Sequence, residues 1–291
     1  MKVKAYIHVG LPKTGTSTIQ ASSVLYHKEL LEQGLDYPIE NLTKNRHQYF
    51  IPALLKRNFQ YVHSVLERKQ KEGNELLFST EGFTNHLEYF SQLALGDFKS
   101  LFDAYKTIGV LFVREIESWS KSYYKQIVIN PPNNSFYATS LTFSEFIKIP
   151  EFQFFLNKER IIQSVKDKFG FDELVVLQYE KDWVQQLPEL FSKYPENTFN
   201  RMRVNTSRSE SVIELIRQIN GLSLSLKLRQ PLVQALVQYD IAKSDRSFDP
   251  MTQRTDGEAL KKQADLVLNA GHPEMANSIH KWMSTAINFA Q

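Results

Sequence analysis

The stretch YIHVGLPKTGTSTIQ, running from Tyr6 to Gln20, decides how this chain is read. Its first residues are apolar and β-rich, so the sequence predicts a buried strand over Ala5 to Val9. Gly10, Lys13 and Gly15 then form a tight loop, and Thr16, Ser17 and Thr18 open a helix. A loop of this kind gathers backbone N–H groups, a lysine and hydroxyls at a helix N-terminus. There the partial positive end of the helix favours an anion. The structural alternative is a glycine turn capped by Thr14 or Thr16.

Gly10 and Gly15 have the spacing of the nucleotide-binding loop GxxxxGK[ST], but the residue after the second glycine is Thr16. The lysine stands inside the loop, at Lys13. A loop that cradles ATP needs its lysine on the terminal phosphates and the next hydroxyl on Mg²⁺. The order here breaks that arrangement. Residues 12–17, Pro-Lys-Thr-Gly-Thr-Ser, follow an N-terminal strand and resemble the phosphosulfate-binding loop of the PAPS-dependent sulfotransferases. The resemblance implies that Lys13, Thr14, Gly15, Thr16, Ser17 and Thr18 bind 3′-phosphoadenosine 5′-phosphosulfate (PAPS). It also implies that Lys13 is catalytic.

Composition bounds the rest. A chain of 291 residues suffices for one large α/β domain or two small ones. The net charge is +3, with acids and bases mixed along the chain, unlike the one-sided basic stripe of a nucleic-acid binder. There is no cysteine, which excludes disulfides, thiolate metal sites and a cysteine nucleophile. No apolar run has the length of a signal core or a membrane span. A cytoplasmic protein is the expectation.

Further strands are predicted at Leu76–Ser79, Thr107–Val113 and Leu174–Gln178, each followed by polar residues and a helix. A helix is expected over about Thr16 to Gln33, stopped by Gly34, and helical pieces over 46–72 with a break near Asn58. This alternation predicts an α/β fold of three layers, a central parallel sheet flanked by helices, and the sulfotransferase resemblance implies that it is like that of the P-loop NTPases. From about residue 207 the pattern is helical. The simplest partition is a single domain, 1–291. Ligands of such sheets bind beyond the carboxyl ends of the strands, which places Gly10, Glu81, Arg114 and Glu180 along one edge.

Arg114 ends the third of these strands, and Ser122 stands eight residues later on the following helix. With Ile116, Trp119, Tyr123 and Ile127 as the buried stripe, Ser122 falls about 100° from its centre, toward Arg114. This spacing is also similar to a sulfotransferase signature, whose arginine and serine hold the 3′-phosphate. Tyr124 fills the aromatic position that often follows the serine. Ile116 replaces a common proline. Arg201 and Arg203 resemble a late basic segment that folds over the nucleotide in that family, though a solvated turn explains them as well. Residues 130–141 form a polar loop that reads equally as an insertion or as a substrate lid.

Sulfuryl transfer needs an in-line acceptor hydroxyl and a base. Glu81 stands at the end of its strand, and the family uses glutamate in some members and histidine in others. His47 is the rival, with an ordinary pKa better suited to neutral pH. No metal-ligand spacing is present. The expected function is therefore a sulfotransferase that takes PAPS as donor and a carbohydrate, glycolipid or small metabolite as acceptor. Two other readings remain. One is a small-molecule kinase using ATP and Mg²⁺; the other is a non-catalytic nucleotide- or polyanion-binding module.

Overall fold

The computed structural model describes residues 2–132, 136–180, 183, 187–191, 208–244 and 250–287. Contacts divide the chain into two compact units. The first comprises 1–119 and 153–204, the second 120–152 and 205–291. The helical part expected from about residue 207 thus falls in the second unit, together with a segment from mid-chain.

The first unit is α/β. Its strands are β1 (Val3–His8), β2 (Leu35–Asp36), β3 (Glu75–Ser79), β4 (Tyr105–Val113) and β5 (Glu173–Gln178). They form one parallel sheet in the order β2-β3-β1-β4-β5. Every strand predicted from the sequence is present, and each helical crossover leaves the next strand parallel, as βαβ units require.

Alternation along the strands covers both faces. Tyr6, Leu77, Ile108, Val110 and Phe112 point to one side and meet Ile19 and Leu30 of the helices Thr16–Leu25 and His27–Glu32. Phe78 points to the other side, edge-on to Phe50 and Phe102 at 5.2 and 6.0 Å. Phe83, Phe98 and Phe169 complete that aromatic layer. Each fully buried phenylalanine contributes about 1.5–3 kcal/mol of burial, so this cluster is the main ballast of the unit.

Two predicted helices are interrupted. The helix expected over about 16–33 breaks at Tyr26, whose φ of −105° and ψ of 26° leave the helical region. Gly34 then takes φ 79° and ends the second piece, as the sequence suggested. The break near Asn58 also occurs, between helices Phe50–Lys56 and Gln60–Glu72, where Arg57 adopts φ 52°.

The second unit is helical. The helix Ile116–Ile129 crosses into it at residue 120, and the helices Glu210–Asn220, Leu226–Ser244, Pro250–Asn269 and Pro273–Ile287 make up its C-terminal part. The buried Arg229 donates to the carbonyls of Val128 and Asn130 at the end of the first of these helices. A cation there complements the helix dipole. The polar loop 130–141 is fastened in this unit at its far end: Asn220 Nδ2 donates to the carbonyl of Thr139, and Tyr124 Oη to that of Leu141.

Candidate functional site

The anion loop leaves β1 at Val9 and enters the helix Thr16–Leu25 at Gly15. Three fastenings hold it. Thr14, fully buried, donates its hydroxyl to the carbonyl of Leu11 at 2.6 Å. Thr84 donates to the carbonyl of Gly10 at 2.6 Å, and the indole of Trp119 donates to the carbonyl of Pro12 at 2.8 Å. The loop is therefore gripped from the β3 side and from the β4 side. Lys13 sits at φ 64°, a left-handed conformation that costs a non-glycine residue about 1 kcal/mol. Such strain is characteristic of ligand-binding loops.

Gly15 is needed for two reasons. Its φ is 79°, and a Cβ there would lie 2.5 Å from Trp183 and 2.8 Å from Tyr179. The two rings, 5.5 Å apart, pack directly on the loop. No side chain caps the N-terminus of the helix that Gly15 opens. Its first N–H groups are thus of the kind that an anion satisfies. Thr16 is buried, and Ser17 and Thr18 are half-buried.

Arg114 converges on this loop. Its Nη1 donates to the Lys13 carbonyl at 3.3 Å, and its Nε donates to Ser118 Oγ at 3.0 Å. The guanidinium lies 5.4 Å from the centre of the Tyr179 ring. Nη2 makes no hydrogen bond among the described residues. The serine on Arg114 is Ser118, four residues on, which the sequence reading missed. Ser122 is half-buried on the same helix, within the second unit. Arg201 and Arg203 lie outside the described residues.

Below the loop is a buried polar cluster that the sequence reading also missed. His8 and Ser79 are register partners on β1 and β3, so their side chains share a face. His8 Nδ1 lies 2.8 Å from Ser79 Oγ, and Gln20 Nε2 donates to the same oxygen at 3.0 Å. Burial pushes the His8 imidazole down to about 3, so it is neutral near pH 7. A histidine followed two residues later by the glycine of a loop was the available signal.

The two base candidates separate clearly. His47 is fully buried. Its Nδ1 accepts from the Ser79 N–H at 3.0 Å, which puts its proton on Nε2, and Nε2 donates to the Pro38 carbonyl at 2.8 Å. Both nitrogens are occupied, and burial lowers the imidazole to about 4. This geometry sets His47 aside as a base: it ties the segment 38–47 to β3. Glu81 follows β3 and opens the short helix Gly82–Asn85. It is buried, with 8% of its surface exposed at the strand end. Arg46 Nη1 lies 3.7 Å from Glu81 Oε2.

A cleft of about 510 Å³, lined by Lys2, Lys69, Gln70, Asn74 and Tyr105, lies at the opposite, N-terminal end of the strands. Its most buried cation, Lys69, is already bound to Asp36 at 2.7 Å. The donors that converge do so at the carboxyl end, where parallel sheets bind ligands. Among the described residues no group of three or more histidines and carboxylates is placed to hold a metal, and no helix is long and apolar enough to cross a membrane. No protein-family model matches the chain, and neither a curated protein nor a solved structure matches it.

Proposed function

We propose that this protein transfers a sulfuryl group from PAPS to an acceptor hydroxyl, on a fold of the P-loop type. The observation that carries the reading is the hydrogen bond from Arg114 to the Lys13 carbonyl. Two sequence signatures, each expected to hold a different anionic group of one nucleotide, meet at the end of adjacent strands. The donor chemistry suits that nucleotide: an uncapped helix N-terminus, a lysine and an arginine fork with one terminal nitrogen unused.

The nucleotide, when bound, supplies the sulfuryl group, whose bond to the 5′-phosphate oxygen breaks as the acceptor oxygen bonds to sulfur. Lys13 and the loop N–H groups stabilise the charge that passes to the departing phosphate. Thr16, Ser17 and Thr18 supply further donors. Arg114 holds the 3′-phosphate. Glu81 takes the proton from the acceptor hydroxyl and returns it to water, so charge and atoms balance.

Calorimetry with adenosine 3′,5′-bisphosphate and, separately, with ATP and Mg²⁺ tests the reading. Tighter binding of the bisphosphate supports it. Preference for ATP with Mg²⁺ moves the assignment to a small-molecule kinase.

A further inference from the structure

Arg46 stands beside Glu81, its Nη1 3.7 Å from Glu81 Oε2. Its backbone belongs to a two-residue turn in which Thr43 and Arg46 exchange N–H···O bonds of 3.0 and 3.1 Å. Lys44 and Asn45, at the tip, have φ of 50° and 65°. Two consecutive left-handed residues make a type I′ turn, normally the province of Asn-Gly. The turn is pinned from below: Tyr37 Oη donates to the Asn45 carbonyl at 2.7 Å, and the His47 N–H to the Ser79 carbonyl at 3.0 Å. The two bound nitrogens of His47 belong to the same fastening.

Among the described residues the Arg46 side chain makes no hydrogen bond, and its buried Nε has no partner. Its contact with Glu81, at 3.7 Å, exceeds hydrogen-bond length. Two exposed arginine pairs close fully, Arg57 with Asp97 at 2.7 Å and Arg68 with Glu40 at 2.8 Å, whereas Lys4 and Glu75 stop at 3.9 Å. Residues 41–49 carry Lys44 and Arg46 and no acid. The Arg46 side chain is 34% exposed beside Glu81, and a planar group with two oxygens suits a guanidinium best.

We propose that the acceptor bears a carboxylate and that Arg46 binds it, holding a neighbouring hydroxyl at Glu81. The role given to the hydroxyl rests on the sulfotransferase reading; the carboxylate site at Arg46 does not.

The test uses D-glucuronate and its neutral analogue D-glucuronamide as probes. Binding is followed by saturation-transfer NMR on the full chain, with and without adenosine 3′,5′-bisphosphate. Glucuronate is expected to bind saturably and about tenfold or more tighter than the amide, the scale of one charge-assisted hydrogen bond. Arg46→Gln is expected to remove that preference and leave amide binding unchanged. If Arg46→Gln does not fold, Arg46→Lys, which keeps the charge but not the fork, is expected to lose several-fold in glucuronate affinity. Equal binding of the two probes overturns the proposal, as does no saturable glucuronate binding, or a preference that survives the substitution. Failure of the nucleotide to bind, with the Arg46-dependent preference intact, overturns the sulfotransferase reading alone.

Discussion

Arg114 and Lys13, 101 positions apart, are joined by a hydrogen bond from the guanidinium Nη1 to the lysine carbonyl. The arginine thereby braces the strained residue of the anion loop and brings its own charge to the same strand edge. Parallel pairing of β1 with β4 makes the meeting possible, since Val9 N–H, just past β1, reaches the carbonyl of Val110 at 3.0 Å.

Arg114→Ala is expected to weaken adenosine 3′,5′-bisphosphate by about 10- to 100-fold, the worth of a hydrogen bond to a charged group. Binding of adenosine 5′-monophosphate should change much less. Calorimetry with both nucleotides reads the difference, and equal losses would show that Arg114 does not read the 3′-phosphate.

Lys13→Ala is expected to lower turnover by about 10²–10³-fold, the scale of removing one preorganised donor to a developing charge. Its half-buried side chain is outside the apolar core, so the melting temperature should hold within a few degrees. Transfer of labelled sulfate measures the rate; turnover at the normal level in a folded variant removes Lys13 from the mechanism.

Glu81→Gln and His47→Asn are expected to diverge. Glutamine at 81 keeps the shape but cannot take a proton, and the rate should fall by about 10²–10⁴-fold with nucleotide affinity retained. Asparagine at 47 leaves the Ser79 N–H or the Pro38 carbonyl without its partner, at about 1–3 kcal/mol for each buried group. Its effect should appear as a lower urea midpoint. A stable His47→Asn protein with a collapsed rate, beside an active Glu81→Gln, would exchange the two roles.

Acid should destabilise the fold before carboxylates dominate. Burial lowers His8 to about 3 and His47 to about 4, whereas in the unfolded chain both titrate near 6.5. Between those limits the unfolded chain binds more protons, so stability rises with pH. The contribution is fully present above about pH 6.5 and is lost as pH falls toward the folded values. Urea midpoints followed downward from neutral pH should fall steadily, and His47→Asn should flatten the slope. A midpoint constant down to about pH 5 contradicts neutral burial of the pair.

Gly15→Ala should be more harmful than a surface glycine change. The added methyl meets Trp183 and Tyr179, and φ of 79° adds about 1–2 kcal/mol of its own. Gly73→Ala is the control, since its φ of 72° is similar but open space surrounds it. Equal melting shifts for the two would mean that the aromatic rings yield freely.

The sequence by itself determined the strands, the loop after β1 and the strand-end positions of Glu81 and Arg114. Those features are local: alternation sets which strand face is buried, and Gly10 and Gly15 allow backbone angles that few other residues adopt. Arg114 could be picked out because strand and helix periods place it at a junction. What periodicity could not supply was partnership across the sheet. His47 carried the pattern of a base, yet its two nitrogens are used by Ser79 and Pro38, groups that only the pairing of β3 with its neighbours brings near. His8 looked like one more strand residue until register set it against Ser79. The hydrogen bond from Arg114 to Ser118 was not legible either, because it depends on where the guanidinium turns from the strand end onto the first turn of the next helix. The unpartnered Nε of Arg46 was invisible for the same reason: an unsatisfied hydrogen bond is a property of the assembled surroundings, and the chain alone records only the donor.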